Sequence, residues 1–230
     1  DNELPGKSLA AAPGQAAADI AEYYQRGARY YIAEANYGWG ASGLGLYTAA
    51  QCLWDVAKAQ KADEIREDFL TKSFGSAKEP MRRFYDLIDG KAKPLLSAHL
   101  LGGMYRALEE AYAQTTDPAV TARLDDLVAY VRYVELFRIY LNAQGQERQE
   151  AFENMVKFCK SVRRVGMIPD YVITRWQTGY DKTVTLSEEQ LEAMTDPAPG
   201  HEKFREIVKV GIAQNPLLTF SPRAFSSDLV

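Results

Sequence analysis

Cysteine and histidine are nearly missing from this chain, with two of each in 230 residues. Two cysteines define no disulfide framework. Cys52 and Cys159 each fall on an apolar face of helical periodicity, where a thiol packs as a small hydrophobe, although a bond between them stays open at this point. His99 and His201 are far apart and lack acidic or cysteine neighbours at ligand spacing, which argues against a zinc site. No apolar run continues long enough to span a bilayer before a charge interrupts it. Excess charge is lacking too. Lys plus Arg number 27 against 31 Asp plus Glu, a net charge of −4, so there is no basic face for a phosphate backbone and nucleic acid is not an expected partner. Gly38, Gly40, Gly43 and Gly45 match neither the dinucleotide nor the P-loop spacing, serine-nucleophile motifs are absent, and no cofactor is implied. No fixed-period repeat or low-complexity tract is found. The chain has neither an initiator methionine nor a signal peptide, and Asp1-Asn-Glu-Leu-Pro-Gly6 reads as the start of an internal or processed fragment.

What remains is the composition of an ordinary globular protein, 47% hydrophobic and 25% charged, long enough to bury a real core. Fourteen tyrosines and three tryptophans exceed what a plain bundle requires. Such rings join an apolar face to a hydrogen-bonding tip and suit sugars or peptides, although most of them belong to the core.

The order of elements is a helix, one short strand, and then a helical body. Gly14–Arg26 carries good helix formers and is capped by Gly27. Ala28–Glu34 is aromatic and β-prone and reads as a strand, with Ala35–Gly43 as the loop after it. Apolar spacings of three and four predict helices over Leu44–Ala59, from Asp63 to Phe74, over Ser76–Ile88 and over Ser97–Gln114. Asp117 caps the longest helix, with Pro118 in its first position and a seam of Val120, Leu124, Leu127, Val131, Val134, Phe137 and Leu141. Gly145 is expected to end it. Further helices are expected over Glu147–Val165, Asp170–Tyr180, Ser187–Met194 (with a Ser187/Gln190 capping box) and His201–Gln214. The expected fold class is mainly α, a multi-helical bundle preceded by one β/α unit like the end of a TIM-type barrel. Residues 1–43 form that remnant, 44–215 the helical domain and 216–230 an irregular tail.

The strand ends on a carboxylate, Glu34, beside a loop rich in glycine and aromatics. α/β proteins keep their chemistry in such loops, so Glu34 is the candidate catalytic acid and Asn36, Tyr37 and Trp39 are candidate substrate-binding residues on a sugar-stacking rim. The competing reading pairs Glu34 with a cation and folds the aromatics back onto the body. Glycosidic cleavage uses two carboxyl groups, and no second strand-end acid is visible. Asp55, Asp63, Glu64, Glu67 and Asp68 read as caps and solvated faces, and Glu109-Glu110, Asp125-Asp126 and Glu188-Glu189 as surface charge.

A series of short segments carries a resemblance. Tyr23-Tyr-Gln-Arg-Gly-Ala-Arg-Tyr-Tyr-Ile-Ala-Glu34, Gly43-Leu-Gly-Leu-Tyr47, Leu53-Trp-Asp55, Asp68-Phe69, Phe74-Gly-Ser-Ala77, Pro80-Met81 and Phe84-Tyr85 follow in order, with a weaker echo at Arg123–Tyr133. This series resembles the bacterial family numbered 4838 among domains of unknown function, which is similar to α-glucuronidase-type glycoside hydrolases. The resemblance implies a catalytic barrel upstream, a late barrel strand at Ala28–Glu34 and a C-terminal helical region from Leu44. It also implies a carbohydrate partner and a secreted or periplasmic location. The expected function is that of the helical portion of a carbohydrate-active, glycoside-hydrolase-like protein, supporting the barrel and lining a sugar cleft, and inactive alone. The alternative is a non-catalytic helical binding or oligomerisation module. Sugar, linkage and oligomeric state stay open.

Overall fold

Helix α6, Pro118–Asn142, organises the molecule. The computed structural model describes residues 11–32, 38–91, 94–168 and 181–219. Along α6 the expected seam from Val120 to Phe137 is buried, but so are Val128, Ala129, Tyr130, Tyr133, Leu136 and Tyr140. The stretch from Leu127 to Phe137 is thus apolar nearly all round and is covered on most sides, while the two ends of the helix reach solvent. Only Leu141, at the end of the expected seam, stands out, at 46% exposure. The start of α6 is set by Asp117, whose side chain accepts from Ala119 N at 2.8 Å, ahead of Pro118.

Around it lie α5 (Ala98–Ala113), α7 (Gly145–Ser161) and α9 (His201–Gln214), while α4 (Lys78–Asp86) packs against α5. The short α8 (Glu188–Ala193) has the expected reciprocal capping box between Ser187 and Gln190. Helices α1 (Pro13–Gln25), α2 (Trp39–Trp54) and α3 (Ala62–Phe74) form the other end, with 3₁₀ turns at Val56–Lys61 and Gly75–Ala77. A small separate core of Ala17, Ile20, Cys52 and Ile65 joins these three helices. Cys52 and Cys159 are both buried, in different cores, and no disulfide joins them.

Helix α1 runs beside α2 in the same direction. A Cβ on Gly45 would lie 2.1 Å from the carbonyl oxygen of Ala11, so the start of α1 abuts the middle of α2. The later residues Ala17 and Ile20 share their core with Cys52, further along α2. The end of α1 and the start of α2 therefore lie toward opposite ends of α2.

The expected strand does not form over its described part, residues 28–32. Gly27, at φ 95°, closes α1 as expected, with its N–H on Tyr24 O and the Ala28 N–H on Tyr23 O. Arg29 folds back onto the same helix end, donating to Tyr24 O at 3.0 Å with its guanidinium 4.4 Å from the Tyr24 ring centre. Two residues of the segment are thus spent on capping. Tyr30 and Ile32 follow at 96% exposure each, and no strand occurs among the described residues to pair with them. A strand draws its backbone hydrogen bonds from a neighbour, and without one β-prone side chains alone do not make it. Among the described residues the β/α unit is therefore not formed. Residues 33–37, including Glu34, Asn36 and Tyr37, lie outside the described residues, as does the expected helix at 170–180 apart from flanking positions.

Three further boundaries moved. Helix α2 begins at Trp39, so Trp39–Gly43 is helix and not loop. It stops at Trp54, where Asp55 caps the following 3₁₀ turn by accepting from Ala57 N at 3.1 Å. Gly145, at φ 54°, opens α7, while α6 ends at Asn142.

Candidate functional site

A cleft of about 500 Å³ opens between α2, α3, α4 and α6, and Trp39 stands on its rim. Its walls are Trp39, Gly43, Leu46, Tyr47 and Ala50 from α2, Phe69, Ser73 and Phe74 from α3, Tyr85 from α4, Arg123 and Leu127 from α6, and Met167 after α7. That volume is within the range of sites for drug-sized molecules. Four residues that carry the family resemblance, Tyr47, Phe69, Phe74 and Tyr85, are thereby gathered in one place.

Trp39 is the one proposed binding residue within the described part, and its indole is 46% exposed. The first turn of α2 is pinned against α6 and the segment after α7. Trp39 N–H and Gly40 N–H donate to the carbonyls of Gly166 and Met167, both at 3.3 Å. A Cβ at Gly40 would lie 2.4 Å from Cγ of Tyr130, so only glycine lets α2 approach α6 this closely. That contact explains why the glycine-rich head is helix.

The rings are arranged edge to face. Phe69 meets Tyr85 at 5.5 Å with an interplanar angle of 84°, and Tyr47 at 5.5 Å and 51°. Such tilted pairs are the favoured aromatic geometry and fix the wall. The Tyr47 hydroxyl donates to Asp68 at 2.5 Å, a bond that raises its pKa. Asp68 is held in turn by Lys72 at 2.9 Å. The acidic residues read as solvated faces include this anchor. Tyr85 is buried, which raises its pKa, and its hydroxyl makes no hydrogen bond among the described residues. Arg123 donates Nη1 to Ser73 O at 3.1 Å across the rim. The lining thus holds one guanidinium and no carboxylate or imidazole, which suits binding and supplies no acid–base pair.

Elsewhere the polar clusters fasten helices. Glu135 on α6, 3% exposed, accepts from Tyr105 Oη at 2.8 Å, from Asn215 Nδ2 at 2.6 Å and from Arg132. This clasp, which sequence reasoning missed, ties α5, α6 and the end of α9. Its only advance sign was a glutamate set within an apolar run. Asp181 is held by Arg148 at 2.7 Å, by Thr183 and by the Tyr140 hydroxyl, and these contacts keep its carboxyl well below the usual range despite the cost of burial. Asp125 and Asp126, expected as surface charge, are both partly buried. Asp125 accepts from Tyr112 and lies 3.0 Å from Nδ1 of His201, latching α9. Burial and the Asp125 charge push Asp126 up to about 6. Asp125 and His201 lie far apart in sequence, and only the fold brings them together.

No group of three or more His, Cys, Asp or Glu among the described residues is placed to hold a metal ion, and no helix among them is long and apolar enough to cross a membrane. No protein-family model, curated protein or solved structure matches the chain.

Proposed function

We propose that this chain is the C-terminal helical portion of a glycoside-hydrolase-like, carbohydrate-active protein, in which α3–α9 buttress a barrel and α1, the 28–38 link and α2 are its last β/α unit. One observation carries the reading: α1 and α2 lie side by side and parallel, joined by a link that must return the length of α2. Consecutive helices of a β/α barrel are parallel for this reason, with a strand running back between them. Tyr30 and Ile32, 96% exposed on that link, are the side chains a neighbouring strand and helix layer would cover. The family resemblance points the same way. In this reading Glu34 is the candidate catalytic carboxylate, Asn36, Tyr37 and Trp39 face the sugar, and the second carboxylate comes from the barrel. A secreted or periplasmic setting accompanies it.

The test uses the longest natural polypeptide that contains this chain, assayed on aryl glycosides and uronic-acid oligosaccharides. Turnover that is lost in Glu34→Gln, with an unchanged circular dichroism spectrum, supports the reading. Full activity in Glu34→Gln removes Glu34 from catalysis, and no turnover by the parent refutes the hydrolase assignment.

A second reading is a non-catalytic binding or oligomerisation module. Tyr23, Tyr24, Leu53 and Trp54, the last 90% exposed, favour it by marking an apolar end near the close of α1 and α2. Sedimentation of the chain as a stable dimer that dissociates on Trp54→Ser would select it.

A further inference from the structure

We infer that the cleft between α2, α3, α4 and α6 is a binding site for a flat aromatic monocarboxylate, with the ring against the wall formed by Tyr47, Phe69 and Tyr85 and the carboxylate on Arg123. The cleft shares Trp39 with the sugar reading, but the inference rests on Arg123 and the aromatic wall and not on Glu34.

The walls fix the ring. Tyr47, Phe69, Phe74 and Tyr85 present edges and faces at 5.5–6.2 Å from one another, with Leu46 and Leu127 completing an apolar enclosure. A planar aromatic extends this set of tilted contacts with no polar group to desolvate. A neutral pyranose would bring several hydroxyls to walls whose polar groups are few: the Tyr47 hydroxyl already donates to Asp68, and Ser73 O already accepts from Arg123. Unpaired hydroxyls in an apolar site each cost about 1–3 kcal/mol, which disfavours sugar here.

Arg123 fixes the charge. Of its N–H groups only Nη1 is engaged, leaving Nε and Nη2 without a hydrogen bond among the described residues. A planar guanidinium with donors to spare matches a carboxylate in bidentate geometry. Asp126, three residues on, lowers the local positive potential through its charge but makes no ion pair with Arg123 among the described residues. Tyr85, whose hydroxyl makes no hydrogen bond among the described residues, is a further polar residue of the lining.

Gly43 provides a clean block. It lies on the wall within α2, and a Cβ there would meet nothing within 4 Å, so a larger side chain enters the cleft without disturbing the helix. The test is calorimetric titration of the chain with 2-naphthoate, neutral 2-naphthalenemethanol and glucuronate. Binding of 2-naphthoate is expected, weakened about 10–100-fold by Arg123→Gln, the span that loss of a charged hydrogen bond implies. The alcohol should bind the parent and Arg123→Gln alike. Gly43→Leu should abolish binding of both aromatics while melting no earlier than the parent. The inference is overturned if 2-naphthoate fails to bind at millimolar concentration, if Arg123→Gln or Gly43→Leu leaves its affinity unchanged, or if glucuronate binds more tightly. None of these outcomes bears on Glu34, so the hydrolase reading stands or falls separately.

Discussion

Glu135→Leu tests the polar clasp in the core most directly. The carboxylate receives Tyr105 at 2.8 Å, Asn215 at 2.6 Å and Arg132, so leucine leaves three donors facing an apolar side chain. Asn215 keeps one partner, Gly211 O at 2.9 Å, and Tyr105 and Arg132 lose theirs. Removing one partner of a buried charge pair costs about 3–5 kcal/mol, because the remaining groups stay desolvated. In a domain of this size each kcal/mol lowers Tm by about 2–4 °C, which gives a loss of about 6–20 °C. The same reasoning predicts recovery. Adding Tyr105→Phe and Arg132→Met removes the orphaned donors, and an apolar set of similar volume is often as stable as the ionic one. Thermal unfolding by circular dichroism, supported by urea midpoints, measures both. A single variant within 2 °C of the parent, or a triple variant no more stable than the single, would show that the clasp contributes little.

Other perturbations address neighbouring contacts. Gly211→Ala places a methyl 2.4 Å from Cε2 of Tyr105, so α9 must shift from α5 at a cost of about 1–3 kcal/mol, read as a lower urea midpoint. Asp126, pushed up to about 6, holds its proton more tightly folded than unfolded. Stability therefore falls as pH rises between about 4 and 6. Asp126→Asn removes that loss and, after allowance for solvent screening, should stabilise by about 1 kcal/mol at pH 7 and negligibly at pH 4, as paired melts at the two pH values will reveal.

The helical body was legible because its signals are local. Gly27 supplies a left-handed cap, Asp117-Pro118 a helix start and Ser187 with Gln190 a capping box, and each lies where its own chemistry requires. The seam of α6 was readable from spacing alone. The misreadings came from contacts between distant residues. Trp39-Gly-Ala-Ser-Gly43 has loop composition, yet Gly40 is needed by the Tyr130 ring, ninety positions away. Ala28–Ile32 has strand composition, yet a strand requires a neighbour that no local pattern supplies. The cleft was invisible for the same reason. Periodicity places Phe69 and Tyr85 on the apolar faces of their helices and Phe74 at a helix end, and only the crossing of α2, α3 and α4 leaves a gap beside them. Trp39 was singled out as a sugar contact and proves to stand on the rim of that gap.

Helix α2 belongs to both cores, whereas α1 buries only Pro13, Ala17 and Ile20. Opening α1 therefore exposes far less apolar area than opening α6, and the edge formed by residues 13–32 is less costly to rearrange than the packing around α6. A partner that grips Tyr23, Tyr24, Tyr30 or Ile32 would act on this pliable margin and leave the packing around α6 untouched.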